Sequence, residues 1–197
     1  MPLVPLSDAT ALLCARRIVG IPTETVYGLG AHGLDRRALE AVYARKGRPT
    51  THPLILHVLD DGEEHAIFND RARALSEAFW PGPLTLILPR RAHLPDELTG
   101  GHDTVAIRSP AHALVRELLS VCGFPLAAPS ANRFGGVSPT TARHVLADFP
   151  DLPVLDGGAC EVGVESTIVD LSTDRVAVLR PGGIAIEALE GVIGPVA

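Results

Sequence analysis

Aromatic residues are scarce in this chain of 197 residues: Phe, Trp and Tyr together make up 4%, with a single Trp. A platform of stacked rings, the device that holds single-stranded nucleic acid, is therefore not on offer. Positive charge is in deficit too. Seventeen Lys and Arg against 23 Asp and Glu give a formal net charge of −6. That excludes nucleic-acid binding by bulk charge but leaves room for a local basic cleft. The three cysteines, Cys14, Cys122 and Cys160, are far apart and form no CxxC pair. Neither a zinc site nor a disulfide framework is expected. No apolar run approaches the length that spans a bilayer. The start, Met1-Pro2-Leu3-Val4-Pro5, lacks the basic head and apolar core of a signal peptide. The expectation is a cytoplasmic protein with no membrane contact. Catalytic signatures are missing as well. There is no P-loop (GxxxxGKS/T), no HExxH among eight histidines, and no GxSxG elbow that would make Ser130 a hydrolase nucleophile.

What is present is punctuation. With 17 Pro and 19 Gly, periodic segments end sharply. Helices are expected over Leu6 to Arg17 (capped by Ser7 or Asp8), after Asp35, over Asp70 to Phe79, and from Pro110 to about Val121. Two more are expected from Pro139 to about Asp148 and, shorter, over Ile184 to Leu189. Strands are expected over Arg17 to Pro22, Pro53 to Leu59, Leu84 to Leu88, Thr104 to Arg108 and Phe124 to Ala128. Val154-Leu155, Ser166 to Leu171 and Val176 to Leu179 complete the set. Helices and strands interleave, which gives an α/β (α+β) class with a mixed sheet in one domain, residues 1–197. The late strands lack helices between them, so some antiparallel pairing is expected there.

Residues 129–140, Pro-Ser-Ala-Asn-Arg-Phe-Gly-Gly-Val-Ser-Pro-Thr, are the most informative stretch. A strand ends in a polar glycine loop, and Ser138-Pro139 reads as an N-cap with proline at the first helical position. Such a loop presents N–H groups to an anion. Gly28-Leu29-Gly30-Ala31-His32-Gly33 has GxGxxG spacing, but no acidic residue follows at ribose distance. Tight turns beside a sheet explain these glycines better than a dinucleotide site. Pro22 to Tyr27 is either a turn with local hydrogen bonds or the wall of a pocket for an amino acid. Arg45-Lys46-Gly47-Arg48 is either a cationic helix end or a polyphosphate clamp. Arg108, at the end of a buried strand, needs either an internal ion pair or a substrate carboxylate.

Taken in order, these segments resemble the YrdC-like family. Pro22 to Leu29, Lys46-Gly47-Arg48-Pro49 with His52-Pro53-Leu54, Trp80 to Thr85, Val105 to Arg108, Pro129 to Asn132 with Ser138 to Thr140, Ser166 to Asp170 and Arg180-Pro181-Gly182 follow the family's succession. The match covers about residues 8 to 186. The resemblance implies a twisted mixed sheet with flanking helices around a concave cavity. It also implies the activity of threonylcarbamoyl-AMP synthases, which use L-threonine, bicarbonate and ATP, with Mg2+ accompanying the ATP. Downstream transferase proteins then modify tRNA, and a contact with tRNA is implied. Carried over, Thr23, His52, Arg108 and Ser166 are threonine contacts. Lys46, Arg48, Thr104, Ser130, Asn132, Ser138 and Arg180 are ATP contacts, with Lys46 and Arg48 as the catalytic cations. No residue is implied as a metal ligand. The family often has serine where Phe134 stands. Longer members add a linker and a second domain, and this chain resembles the short, single-domain type. The alternative is an RNA-binding or ribosome-associated module of the same fold without synthase activity. A carbamoyl-adenylating relative fits less well, because such domains sit in larger chains with zinc-finger cysteines.

Overall fold

A computed structural model describes residues 2–196. The elements run β1 (Leu3–Val4), α1 (Leu6–Cys14), β2 (Val19–Ile21), β3 (Gly28–His32), α2 (Arg36–Lys46), β4 (Ile55–His57) and α3 (Asp70–Phe79). They continue with β5 (Leu84–Pro89), α4 (Asp96–Thr99), β6 (Thr104–Arg108), α5 (Ala113–Cys122), β7 (Leu126–Ala127) and α6 (Ala142–Asp148). The last are β8 (Val154–Leu155), β9 (Thr167–Asp170), β10 (Ala177–Arg180) and α7 (Ile186–Ile193).

All ten strands join one mixed sheet, in the order β1-β8-β2-β3-β7-β4-β6-β5-β9-β10. The pairs β1/β8, β8/β2, β4/β6 and β5/β9 are parallel, and the rest are antiparallel. The expected late antiparallel pair is β9 with β10, which carries a register shift between Val178 and Arg180.

Helix α2 shows how the sequence sets an element. The Asp35 side chain accepts from Ala38 N and closes the first turn, a cap that contributes about 1 kcal/mol. Leu39, Val42 and Tyr43 share the buried face. Gly47, at φ 67°, ends the helix in the left-handed conformation that glycine alone adopts without strain. Helices α1 and α5 cover one part of the sheet, with Leu13, Val115 and Leu118 against Val19, Ile21 and Leu126. Helices α2 and α3 pack on the larger cluster with Leu29, Leu56, Leu86 and Ile107. Each such buried side chain contributes about 1.5–3 kcal/mol. The pleat then decides the site. Val105 and Ile107 of β6 and Leu56 of β4 turn into the core, so their neighbours Ala106, Arg108, Ile55 and His57 line a cleft on the other face.

Three expectations fail. Helix α6 begins after Thr141, whose hydroxyl accepts from His144 N, so Ser138-Pro139 is not its start. Ser138 Oγ is engaged by Glu165, and Pro139 O accepts from Tyr27 N. These contacts hold the segment extended. The first helix is capped by no side chain, since its N-cap is Pro5. Gly28 and Gly30 do not form turns: they lie inside β3. At Gly28 a Cβ would stand 3.0 Å from the Ala128 Cβ, so glycine lets β3 approach the segment that leads into the 129–138 loop.

Candidate functional site

The cleft encloses about 210 Å³. That accommodates an amino acid, while a nucleotide would extend over its mouth. Its floor is the end of the parallel pair β4/β6, where His57 stands in register with Arg108. Arg108 is 3% exposed, and its guanidinium is gripped on three sides. Nε donates to Gly82 O at 3.1 Å, Nη1 donates to Thr25 Oγ1 at 2.9 Å, and Nη2 lies 2.6 Å from Glu24 Oε1. Burial raises the Glu24 pKa, but the charge and hydrogen bonding of Arg108 outweigh it and leave the carboxyl below its usual value. Of the two readings open for Arg108, the internal ion pair is therefore realised. Arg108 nevertheless lines the cleft.

His57 is buried, and burial, then the charge of Arg108, depress its pKa to about 3. Its Nδ1 lies 3.2 Å from Ile55 O. A carbonyl only accepts, so the Nδ1–H tautomer fits this contact and leaves Nε2 as the acceptor. The ring is a neutral acceptor, not a base.

Two walls come from polar turns. Thr23 Oγ1 donates to Val26 O at 2.6 Å and accepts from Val26 N and Thr25 N, both at 3.2 Å. Pro22 to Tyr27 is thus both a turn with local hydrogen bonds and a pocket wall. Opposite, Ser166 Oγ lies 2.7 Å from Thr85 Oγ1 and accepts from Arg180 Nη2 at 3.0 Å, while Arg180 Nε donates to Ser166 O. Ser138 Oγ donates to Glu165 Oε1 at 2.5 Å and ties the 129–138 loop to this wall. That hydrogen bond, ahead of burial's opposing effect, lowers the Glu165 pKa.

The third wall is the loop from Pro129 to Ser138. Lys46 is 4% exposed. Its ammonium donates to Ser130 O at 2.5 Å, Asn132 O at 2.7 Å and Asn132 Oδ1 at 3.2 Å, with Ser130 Oγ at 3.3 Å. Burial, then the charge of Arg48, lowers its pKa to about 8. Asn132 Nδ2 in turn donates to Arg133 O and Gly136 O, both at 2.8 Å. Arg48 donates to His52 O and Pro53 O, lies over the Phe134 ring at 6.0 Å and lines the cleft.

Of the residues singled out in the sequence, Thr23, Arg48, Arg108, Ser130, Ser166 and Arg180 line this one cleft. Lys46 and Asn132 stand behind it and shape its loop wall, and Ser138 stands beside it. His52 is exposed at the lip, its ring edge-on to Phe134 at 5.5 Å. Thr104 sits at the opposite end of β6 from Arg108, about 13 Å along the strand. Sequence reasoning missed His57, Thr85 and the pairing of Glu24 with Arg108. The strand periodicity around Ile55 and Ala106 was the available signal for His57. Among the described residues, no group of three or more His, Cys, Asp or Glu is arranged to hold a metal ion. Nor is any helix long and apolar enough to cross a membrane.

A family model named Sua5/YciO/YrdC, described as "Telomere recombination", matches residues 11–182. The chain is similar to the threonylcarbamoyl-AMP synthase of Pyrococcus abyssi, 45% identical over 91% of this chain and 54% of the relative. It is likewise similar to that of Bacillus subtilis, 44% identical over 97% of this chain and 57% of the relative. The chain thus spans about half the length of these curated relatives. Among solved structures, P. abyssi Sua5 complexed with L-threonine superposes with a TM-score of 0.94 at 43% identity, over 97% of this chain and 58% of that one.

Proposed function

The chain belongs to the Sua5/YciO/YrdC family, and from that premise we propose that it is a threonylcarbamoyl-AMP synthase. It would join L-threonine, bicarbonate and ATP into threonylcarbamoyl-adenylate, releasing pyrophosphate. The observation that carries the reading is the convergence of Arg108, Thr23 and Ser166 with Arg48, Arg180 and Ser130 on a single cleft. The threonine complex of the similar P. abyssi protein supports it.

In this reading the free N–H groups of Arg108 receive the threonine carboxylate, and His57 Nε2 accepts from the substrate's hydroxyl or amine. The amine adds to bicarbonate-derived CO2 and gives a carbamate. A carbamate oxygen attacks the α-phosphorus in line, and the bond to pyrophosphate breaks. Arg48 and Arg180 neutralise the phosphate charge, and the Ser130 loop aligns the nucleotide. Such a step needs charge stabilisation and alignment more than a protein nucleophile. Lys46 acts through the loop it holds. Magnesium belongs to the nucleotide: Glu165 is the carboxylate on the cleft wall, and it already accepts from Ser138. The ion would be held by phosphate oxygens and water. The product would pass to transferase proteins that modify tRNA.

The direct test is pyrophosphate release from ATP in bicarbonate buffer with magnesium, with and without threonine. Threonine-dependent release is expected. Folded protein that releases none, yet binds tRNA in a salt-sensitive way, would replace the reading with that of an RNA-binding module.

A further inference from the structure

Three arginines face the cleft, and they are not electrostatically alike. Arg108 has a carboxylate at 2.6 Å, Glu24, which is 6% exposed and stands behind it, off the cleft wall. Arg48 is held by the carbonyls of His52 and Pro53, and Arg180 by Ser166. Among the described residues neither forms an ion pair. Two anions of different kinds must sort themselves in this space: a polyphosphate and the single carboxylate of an amino acid. A bare buried arginine would attract the more highly charged one.

We propose that Glu24 is the positioning and charge-balancing residue that makes Arg108 a receptor for an amino-acid zwitterion and closes it to phosphate. The proposal rests on the synthase reading above, in which Arg108 meets threonine. Its geometry is twofold. Glu24, Thr25 and Gly82 together fix the plane of the guanidinium at the cleft. A paired Arg108 also presents the field of a dipole, not of a unit charge. A phosphate dianion arriving at Arg108 meets the repulsion of Glu24 as well. A zwitterion in the cleft lies head to tail with the dipole, its carboxylate to the arginine and its ammonium turned away from the pair. Arg48 and Arg180, neither of which is ion-paired although Glu165 lies near enough to Arg180 to interact with its charge, remain for the phosphates. Glu24 has no second charged partner: apart from Arg108, only the backbone of Glu24 itself and of Ala111 acts on its carboxylate. A fold gains little from a buried ion pair compared with apolar residues.

The experiment is calorimetric titration of L-threonine, alone and in the presence of inorganic phosphate, into the full chain and its Glu24→Gln and Glu24→Asp variants. Circular dichroism confirms folding. The wild type should bind threonine without competition from phosphate. In Glu24→Gln, threonine should bind at least about tenfold more weakly, and phosphate should now displace it. Glu24→Asp, which keeps the charge, should again exclude phosphate. Threonine affinity within about twofold of wild type in Glu24→Gln, or weakened binding with no phosphate competition, overturns the proposal. Should Glu24→Gln not fold, Thr25→Val decides. It loosens the guanidinium and keeps the charge, so threonine should weaken while phosphate still fails to compete. Unchanged threonine affinity or phosphate competition there overturns the proposal. A wild type that binds no threonine removes the synthase reading as well, whereas an intact wild type with an unshifted variant removes this inference alone.

Discussion

The ammonium of Lys46 donates to the backbone carbonyl of Asn132 at 2.7 Å and to its side-chain oxygen at 3.2 Å. A helix end thereby fixes a loop that is remote in sequence. Lys46→Met should leave the carbonyls of Ser130 and Asn132 buried without a donor, at a cost of about 3 kcal/mol in unfolding free energy. ATP affinity should fall while threonine affinity is largely kept. Lys46→Arg should not restore it, because a planar fork cannot converge on oxygens gathered around one point. Urea unfolding and steady-state kinetics measure both effects.

The same lysine predicts a pH dependence. Its pKa in the fold is about 8, against about 10.4 in an unfolded chain. The fold binds the proton less well than the unfolded chain does. Between these values the unfolded state holds more protons, so this group's contribution to stability rises with pH. It is constant below about pH 8. Relative to Lys46→Met, wild type should gain about 2 kcal/mol between roughly pH 7 and roughly pH 9.5. Paired urea unfolding curves at the two pH values check the sign. A constant difference would contradict the burial of a charged Lys46.

Arg108→Lys should raise the KM for threonine by about 10- to 100-fold and leave that for ATP nearly unchanged. A lysine has no planar group to fill the positions set by Gly82, Thr25 and Glu24. Glu24 would keep a neutralising partner, so the variant should fold. Equal rises in both KM values would place Arg108 on the nucleotide instead.

Phe134 is 45% exposed and lies under Arg48. Phe134→Ala should leave stability within about 0.5 kcal/mol, as expected for a surface position. It should change the KM for ATP by no more than about fivefold, the worth of an exposed cation–π contact. A larger loss would mean that the ring itself touches the nucleotide.

Much of this molecule could be read from local chemistry. Asp35, Leu39, Val42 and Gly47 specify α2 between them, and the run from Thr104 to Arg108 specifies β6. The failures are instructive in physical terms. Ser138-Pro139 carries a helix-start signature, but Glu165 takes the serine hydroxyl and Tyr27 N takes the proline carbonyl, so tertiary contacts override the local preference. Gly28 and Gly30 read as turns because a strand buried on both faces has no alternation to betray it. Helix α4, four residues long, is too short to show a period. At the site, the cations were visible as types, and their partners were not. Nothing local links Glu24 to Arg108 or Lys46 to Asn132. His52 stood in the motif, yet it is His57, at the end of β4, that reaches the cleft.

Lys46 grips the loop twice, since its carbonyl also accepts from Phe134 N at 2.9 Å. The last turn of α2 and the loop from Ser130 to Phe134 therefore cannot open independently. In amide hydrogen exchange they should behave as one cooperative unit, with the loop protected as long as the helix end is. A destabilising change on the buried face of α2, at Val42 for instance, would then loosen the loop wall of the cleft without touching a single residue that lines it.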